Sequence, residues 1–272
     1  MAWTQQTSHF SIRGCLGLRA AHQESRPHLS VLTSPPRGHR LVAAWEGMAI
    51  EVPSGAFPPM STDRTSNAWI EIGPGSLNAA ADVLALAFEN DPLMRYVFSG
   101  SATYSVHVRE AFRFVCEARL ELGWPLIGTT SDSGLTGVAC LSPPEERVWP
   151  ASLVKKYDRL QSSLGYESFN RLGRFSRLSR KHAPAQGHYY LAAIGVHPEF
   201  QGRGLSRVLL DGVKEMSESH AASTGVYLET ALQENVTLYE HFGYQVIAKD
   251  KLDAAVELWY MFRPNKSSNG SP

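Results

Sequence analysis

Residues Ile194 to Leu210 read IGVHPEFQGRGLSRVLL, and this stretch decides the fold of the chain. An apolar run ends at Val196, Pro198 interrupts it, two glycines follow, and an amphipathic pattern begins. This order predicts a strand, a tight turn and a helix whose first peptide N–H groups point at one place. Gly202 and Gly204 carry no Cβ, so the backbone can approach a ligand closely there. The stretch therefore predicts a phosphate site, although a ligand-free turn would contain similar glycines.

The residues on either side of the turn have the patterns of a strand and a helix. Tyr189–Val196 is almost wholly apolar, as expected for a strand that is covered on both faces. After the turn, apolar residues recur at helical spacing, at Leu205, Val208, Leu209, Val213 and Met216. Because strands alternate with helices after an antiparallel start, we expect an α/β fold with a mixed central sheet and flanking helices.

Two common phosphate-binding motifs do not match this turn. A Walker loop requires Gly-Lys followed by Ser or Thr, which the chain lacks, and the dinucleotide fingerprint requires a third glycine where Arg207 stands. The turn instead resembles motif A of the GCN5-related N-acetyltransferases, Gln/Arg-x-x-Gly-x-Gly/Ala. Gln201, Gly204 and Ser206 occupy its three defining positions. Ser206 replaces the usual Gly or Ala with another small residue.

A second segment carries the same resemblance. Residues Val226 to Val246 read VYLETALQENVTLYEHFGYQV. The family's later signature has a strand, an Asn near the start of a short helix, a Tyr four residues on, and an apolar-Gly-aromatic triplet. Asn235, Tyr239 and Phe242–Tyr244 match it. The resemblance covers roughly residues 69–264 and is closest to the branch that contains puromycin N-acetyltransferase.

The resemblance implies an acyl-CoA N-acyltransferase fold, with acetyl-CoA as co-substrate and a small-molecule primary amine as acceptor. Two neighbouring parallel strands would separate near Val196 and Glu229, with the pantetheine arm of coenzyme A between them. The Val196 N–H would polarise the thioester oxygen, and amides from Gln201 onward would hold the diphosphate. The implied cofactor-binding residues are Ile194, Val196, Gln201, Gly202, Arg203, Gly204, Leu205, Ser206 and Asn235.

Direct acetyl transfer requires a polarised carbonyl, a neutral amine, and a leaving thiolate that is stabilised or protonated. Tyr239 is the candidate general acid, because a phenol of pKa about 10 can protonate a thiolate whose thiol has a pKa of about 8.5. The alternative is that Tyr239 is a packed core aromatic and Asn235 a helix N-cap.

The general base has several candidates. Some family members carry a Glu on the strand before motif A, but His188–Val196 contains no carboxylate. Glu229 on the next strand is the predicted base, because a carboxylate in an apolar strand is costly unless it is paired or functional. A structural role for Glu229 is an equal alternative, and His188 or a water chain are further candidates. Asp91 precedes Pro92, where the first helix is expected to stop, and either caps a helix or attracts a cationic acceptor.

Composition excludes other classes of partner. Lys plus Arg and Asp plus Glu both number 26, so no overall field would recruit nucleic acid or an anionic membrane. No apolar run approaches the roughly 18 residues of a membrane span. The ten histidines form no HExxH or clustered motif, which predicts no metal. The three cysteines, Cys15, Cys116 and Cys140, form no CxxC and suit reduced thiols in the cytoplasm. The protein is expected to be a monomer or homodimer.

The chain divides into three regions on composition. Residues 1–66 are rich in Pro, Ser and Arg and are expected to be a disordered extension, a transit peptide, or translated sequence upstream of Met60. Residues 67–265 would form the acetyltransferase domain, and residues 266–272 a disordered tail. Within the domain, residues 150–185 have helical spacing and form a predicted insert. This insert carries many basic residues and would be a lid over the acceptor, in preference to a nucleic-acid patch.

Overall fold

The computed structural model of the protein describes residues 68–100 and 103–266. The expectations for residues 1–66 and for residues 267–272 concern parts of the chain outside these ranges. Within the described ranges, no helix has the length and apolarity that crossing a bilayer requires.

The described residues form a seven-stranded sheet with the order β1-β2-β3-β4-β5-β7-β6. Neighbouring strands run antiparallel except for β4 and β5, which run parallel. This mixed sheet, with helices on both faces, confirms the predicted fold class. The strands are β1 (Ile70–Glu71), β2 (Leu126–Ser131), β3 (Gly134–Ser142), β4 (Tyr189–Val196), β5 (Gly225–Thr230), β6 (Gln245–Leu252) and β7 (Val256–Pro264).

The helices divide between the two faces of the sheet. They are α1 (Leu77–Ala87), α2 (Pro92–Val97), α3 (Tyr104–Leu122), α4 (Ala151–His182), α5 (Leu205–Ser219) and α6 (Gln233–His241), with short 3-10 turns at Pro74–Ser76 and Pro198–Phe200. One apolar core packs the four helices α1, α2, α3 and α4 against one face of the sheet. A second core packs α5 and α6 against the other face. Alternate residues of β5 serve the two cores: Tyr227 lies in the first, and Val226 and Leu228 lie in the second.

Helix α5 has the buried stripe that the sequence predicts. Leu205, Leu209 and Val213 are buried in the second core, at helical spacing. The turn before it contains Gly202 and Gly204, with φ of 77° and 75°. Residues with a Cβ rarely adopt this left-handed conformation, so the glycines allow the chain to reverse directly into the helix.

Helix α2 was missed by the sequence analysis. Pro92 was expected to stop the first helix, but α1 already ends at Ala87, and Pro92 opens a second helix. Asp91 is its N-cap, since Oδ1 accepts a hydrogen bond from the Met94 N–H at 3.0 Å. An Asp followed by Pro is a typical helix start, because the proline fits the first helical position.

Helix α4 occupies the predicted insert and is interrupted at Gly165, where φ is 75° and ψ is 164°. Several of its basic side chains contact other elements of the domain. Lys156 pairs with Glu117 of α3 at 2.8 Å, and Arg174 pairs with Asp253 of the β6–β7 turn at 2.7 Å. Arg171 donates to the Tyr96 carbonyl of α2 at 3.2 Å. These contacts fix α4 to the domain, which favours a structural role for its charges over nucleic-acid binding.

Two of the three cysteines lie in the described ranges. Cys116 of α3 and Cys140 of β3 are both fully buried and unbridged, with their sulfur atoms 3.8 Å apart. Burial and the neighbouring sulfur raise the pKa of the Cys116 thiol, so it stays protonated near neutral pH.

Candidate active site

Strands β4 and β5 pair over only part of their length. Their ladder contains Tyr189 opposite Val226 and Tyr190 opposite Tyr227. Strand β4 then continues to Val196, still paired with β3, and β5 continues to Thr230, still paired with β7. The sheet therefore opens between its two parallel strands, at the place that the sequence resemblance implies.

Peptide groups of β4 face this opening. The His197 N–H donates to the Thr136 carbonyl of β3 at 2.8 Å. Val196, the residue before His197, lies opposite Gly137 of β3. Opposed residues of an antiparallel ladder alternate between hydrogen-bonded and non-bonded pairs, so Val196 directs its N–H and C=O away from β3. Ile194, two residues earlier, does the same. The N–H and C=O groups of Ile194 and Val196 therefore point toward the side on which β5 has separated from β4.

The turn after β4 presents a row of peptide N–H groups. Within the described ranges, the amides of Gly202, Arg203, Gly204, Leu205 and Ser206 donate to no backbone acceptor, whereas the Arg207 N–H closes onto the Gly204 carbonyl at 3.0 Å. Such amides at a helix N-terminus suit an anion. The row of free amides was expected to begin at Gln201, but the Gln201 N–H donates to the Pro198 carbonyl at 3.4 Å. The row therefore begins at Gly202. Gln201 contributes through its side chain, whose Nε2 donates to the Val196 carbonyl at 3.2 Å.

One cavity joins this turn to the opening in the sheet. Its wall includes most of the predicted site residues, namely Ile194, Val196, Gln201, Gly202, Gly204, Leu205, Ser206, Asn235 and Tyr239. Arg203 and Glu229 are not among the residues that line it. The Arg203 guanidinium lies over the Phe200 ring at 4.8 Å from its centroid and donates to the Glu199 carbonyl. Arg203 therefore borders the turn from outside.

Tyr239 lies in the cavity wall and is buried, with 7% of its surface exposed. Its ring packs edge-on against Tyr244, with centroids 5.5 Å apart. Burial, aided by the charge of Asp91, raises the pKa of the Tyr239 phenol, so it is protonated at neutral pH. A neutral phenol in this position can donate a proton into the cavity. Tyr239 is thus both a packed aromatic of the second core and a wall residue.

Glu229 faces the opposite side of the sheet from Tyr239. Its Oε1 accepts hydrogen bonds from Ser179 Oγ of α4 and from the Tyr190 hydroxyl of β4, both at 2.6 Å. The paired carboxylate explains how an acidic residue is tolerated in an apolar strand. His188 lies at the other end of β4, about 26 Å from Val196 at roughly 3.3 Å per residue. Its ring packs on Tyr227, so it is remote from the cavity.

Comparisons with known proteins agree with this geometry. Residues 170–246 match the family model described as an acetyltransferase (GNAT) domain. A 102-residue stretch, 37% of this chain, is 28% identical to mycothiol acetyltransferase of Propionibacterium freudenreichii and covers 30% of that protein.

Solved structures with a similar fold include two acetyltransferases. One is described as histone acetyltransferase HPA2 and related acetyltransferase from Corynebacterium glutamicum, with a TM-score of 0.53, 16% identity, and coverage of 75% of this chain and 98% of that one. The other is a mosquito arylalkylamine N-acetyltransferase like 5b, with a TM-score of 0.54, 13% identity, and coverage of 74% and 100%.

These findings support a GNAT acetyltransferase domain. At such identities the structural likeness concerns the fold alone. The chain also spans less than a third of the length of the curated relatives that it matches. Within the described residues, no group of three or more His, Cys, Asp or Glu side chains could hold a metal ion.

Asn235 is not the N-cap that the alternative interpretation expects. Leu232 is the N-cap of α6, and Asn235 is the third residue of the helix. Its side-chain Nδ2 donates to Thr230 Oγ1 at 3.4 Å, at the end of β5. This contact holds the Asn235 amide at the edge of the opening, facing the cavity.

Arg207 lines the cavity but was not predicted as a site residue from the sequence. Arg207 of α5 lies over the Phe242 ring at 5.3 Å from its centroid, and its guanidinium is 3.4 Å from His241 Nε2. Arg207 was noted only as the residue that breaks the dinucleotide fingerprint. Its position in the first helical turn after the glycines could have predicted a role in anion binding, because a cation there adds positive charge beside the free amides.

Asp91 also lines the cavity, from the connection between α1 and α2. Burial raises the pKa of its carboxyl to about 6, against the opposing effect of hydrogen bonds from the Met94 and Leu93 amides. The two sequence interpretations of Asp91 are compatible, since it caps α2 and faces the cavity at once.

Proposed function

We propose that this chain is an acetyl-CoA-dependent N-acetyltransferase that transfers an acetyl group directly to a primary amine of a small molecule. The observation that carries the proposal is the continuous cavity from the free amides of Gly202–Ser206, through the opening between β4 and β5, to Tyr239. The GNAT family match supports acetyl-CoA as the co-substrate. We term Gly202–Ser206 with Arg207 the cofactor end of the cavity, and Asp91 with Phe88 the acceptor end.

Each end fits a different part of the reaction. Acetyl-CoA supplies an activated thioester and a diphosphate. The amides and Arg207 at the cofactor end would hold the diphosphate, because they combine a helix N-terminus with a fixed cation. The Val196 N–H faces the opening and would polarise the thioester oxygen. Tyr239 would donate its proton to the leaving thiolate.

The remaining sequence predictions belong to this proposal. The lid role predicted for the insert also belongs to this proposal: Arg171 and Arg174 fix α4 to α2 and to the β6–β7 turn, and α4 is the proposed determinant of acceptor choice, although none of its residues lines the cavity. Similarity to the puromycin N-acetyltransferase branch, a cytoplasmic location, a monomeric or homodimeric state and the domain bounds 67–265 are proposed on the sequence alone.

Ligand binding tests the cofactor assignment first. Isothermal titration with acetyl-CoA, compared with ATP and NAD, should show binding of acetyl-CoA and no comparable binding of the nucleotides. Release of free thiol in the presence of diverse amines then measures transfer. Failure of acetyl-CoA to bind at millimolar concentration would remove the proposal.

A non-catalytic acyl-CoA-binding module is the second candidate function. One observation favours it: strand β4 has no carboxylate, and Glu229, the predicted base, does not line the cavity. Under this alternative, acetyl-CoA binds but no amine in the screen is acetylated. The role of Glu229 as a base stays a prediction that substitution at this position tests.

A further inference from the structure

We propose, building on the acetyltransferase function, that Asp91 binds the acceptor as a protonated amine and takes its proton to make it nucleophilic. The acceptor class is therefore a cationic primary amine.

Among the described residues, those that line the cavity include two carboxylates, Asp91 and Glu234. Glu234 is exposed in the first turn of α6, where water screens it. Asp91 is half-buried beside Ala87 and Phe88, and its charge reaches the Tyr239 phenol. A carboxylate and a neutral phenol thus face one cavity, which is the pairing of base and acid that thioester aminolysis requires.

The charges of the cavity are separated along its length. The cofactor end combines the free amides with Arg207, so it attracts an anion. The acceptor end contains Asp91 and apolar side chains, so an ammonium group would be stabilised there. The diphosphate of coenzyme A and a protonated amine would therefore bind at opposite ends, which brings the amine toward the thioester from the side away from the diphosphate.

The proton balance of the transfer closes with these groups. Asp91 takes one proton from the ammonium and later releases it to water. The neutral nitrogen then forms a bond to the thioester carbon, and the carbon–sulfur bond breaks. Tyr239 gives its phenolic proton to the sulfur and recovers the second amine proton. The products are an amide, free thiol and one proton in solution.

The elevated pKa of about 6 supports this role, since a base works best when its pKa lies near the working pH. Other titratable groups around Asp91 are Tyr239 of α6, Tyr104 of α3, and Arg95 of α2, whose guanidinium lies over the Tyr104 ring at 4.2 Å. Burial raises the pKa of Tyr104 to about 12. Both phenols therefore stay neutral through the range in which Asp91 titrates.

Asp91→Asn separates the proposed chemistry from the helix cap. Asn caps a helix about as well as Asp but holds no charge and accepts no proton. The screen uses acetyl-CoA with benzylamine, spermidine and glycinamide as probe amines, and compares the wild type with Asp91→Asn and with Glu234→Gln as the matched carboxylate control. Acetyl-CoA affinity and far-UV circular dichroism are measured for each variant.

We expect Asp91→Asn to lower kcat/KM by about 100-fold, within the range of general base catalysis, and to leave acetyl-CoA affinity unchanged. Wild-type kcat/KM should rise as the pH increases through about 6. This acidic limb of the pH–rate profile should be absent in Asp91→Asn. His241 also lines the cavity, and His241→Gln should retain the limb if Asp91 is the group responsible for it. Glu234→Gln should retain both activity and limb.

The outcomes distinguish the two proposals. If a probe amine is acetylated and Asp91→Asn keeps the wild-type kcat/KM and pH limb, the role of Asp91 is wrong and acetyl transfer stands. If acetyl-CoA binds and no probe is acetylated, amine acetylation is wrong and the role of Asp91 falls with it.

Discussion

The cofactor end of the cavity is formed mainly by peptide groups, whereas the acceptor end is formed by side chains. At the cofactor end, Gly202 and Gly204 set the path of the backbone, and the amides after them need no particular side chain. At the acceptor end, Asp91 and Phe88 come from a helix connection, and α4 is held to the following helix, α2, through Arg171. A backbone site leaves a local sequence pattern, but a side-chain site depends on which distant elements the fold brings together.

The substitution Tyr239→Phe should have the largest effect, because it touches the chemistry between the two ends. Loss of the phenolic proton is expected to lower kcat by about 100-fold or more, with little change in acetyl-CoA affinity. Single-turnover kinetics and titration calorimetry measure the two quantities. Since Phe keeps the ring that packs on Tyr244, thermal stability serves as the control. Unchanged turnover would make Tyr239 a packing residue only.

Substitution at Gly204 probes the backbone nature of the cofactor end. A Cβ at Gly204 would meet no atom within 4 Å, so the cost of Ala arises from its φ of 75° alone. A residue with a Cβ in this conformation costs roughly 1–2 kcal/mol, which should appear as about tenfold weaker acetyl-CoA binding or lower stability. Gly204→Asn is the matched control, because Asn tolerates the left-handed region better. Equal affinity in Gly204→Ala would argue against a strict backbone requirement.

Glu229→Gln tests whether acetyl transfer depends on Glu229, the base predicted from the sequence, or on Asp91 in the cavity wall. We expect it to destabilise the fold by about 1 kcal/mol, because two hydroxyls donate to this carboxylate. Ser179→Ala removes one of these donors without touching the carboxylate and should destabilise the fold in the same direction. Chemical denaturation and acetyl-transfer assays are run together. A large loss of kcat in Glu229→Gln with no loss in Asp91→Asn would reverse the assignment of the acceptor end.

Arg174→Ala should have the smallest effect. Its ion pair with Asp253 at 2.7 Å is partly exposed, and exposed pairs contribute below about 1 kcal/mol. We expect a raised KM for the acceptor and an unchanged affinity for acetyl-CoA, because α4 is held to α2, the helix that Asp91 caps, and lines no part of the cofactor end. Lys155→Ala on the same helix is the control. A change confined to acetyl-CoA affinity would contradict the division between the ends.

The fold and the glycine turn were largely predictable from sequence, because they are specified by local patterns. The apolar strand Tyr189–Val196, the glycine turn and the stripe of α5 are contiguous, and the structure contains all three. The opening between β4 and β5 was inferred from resemblance. No local pattern encodes it, since it depends on where two parallel strands cease to pair.

The acceptor end was less predictable because its residues are distant in sequence. Asp91 and Tyr239 share one cavity although they are far apart along the chain. The short helix α2 was missed because Pro92 was taken as a stop signal, although Pro is equally at home in the first turn of a helix. Glu229 was selected from its apolar strand. Its partners Ser179 and Tyr190 could be found only once α4 was seen packed on the sheet.

The separation of β4 from β5 also makes the free energy of unfolding depend on the concentration of a bound ligand. Peptide groups of Ile194 and Val196 that would otherwise complete a ladder face a space that only the folded chain possesses. Any molecule that hydrogen-bonds there binds the native state and not the unfolded chain. At a concentration 100 times its Kd, such a molecule adds about 2.7 kcal/mol to the free energy of unfolding. The half-life of this protein in a cell would then follow the supply of that molecule.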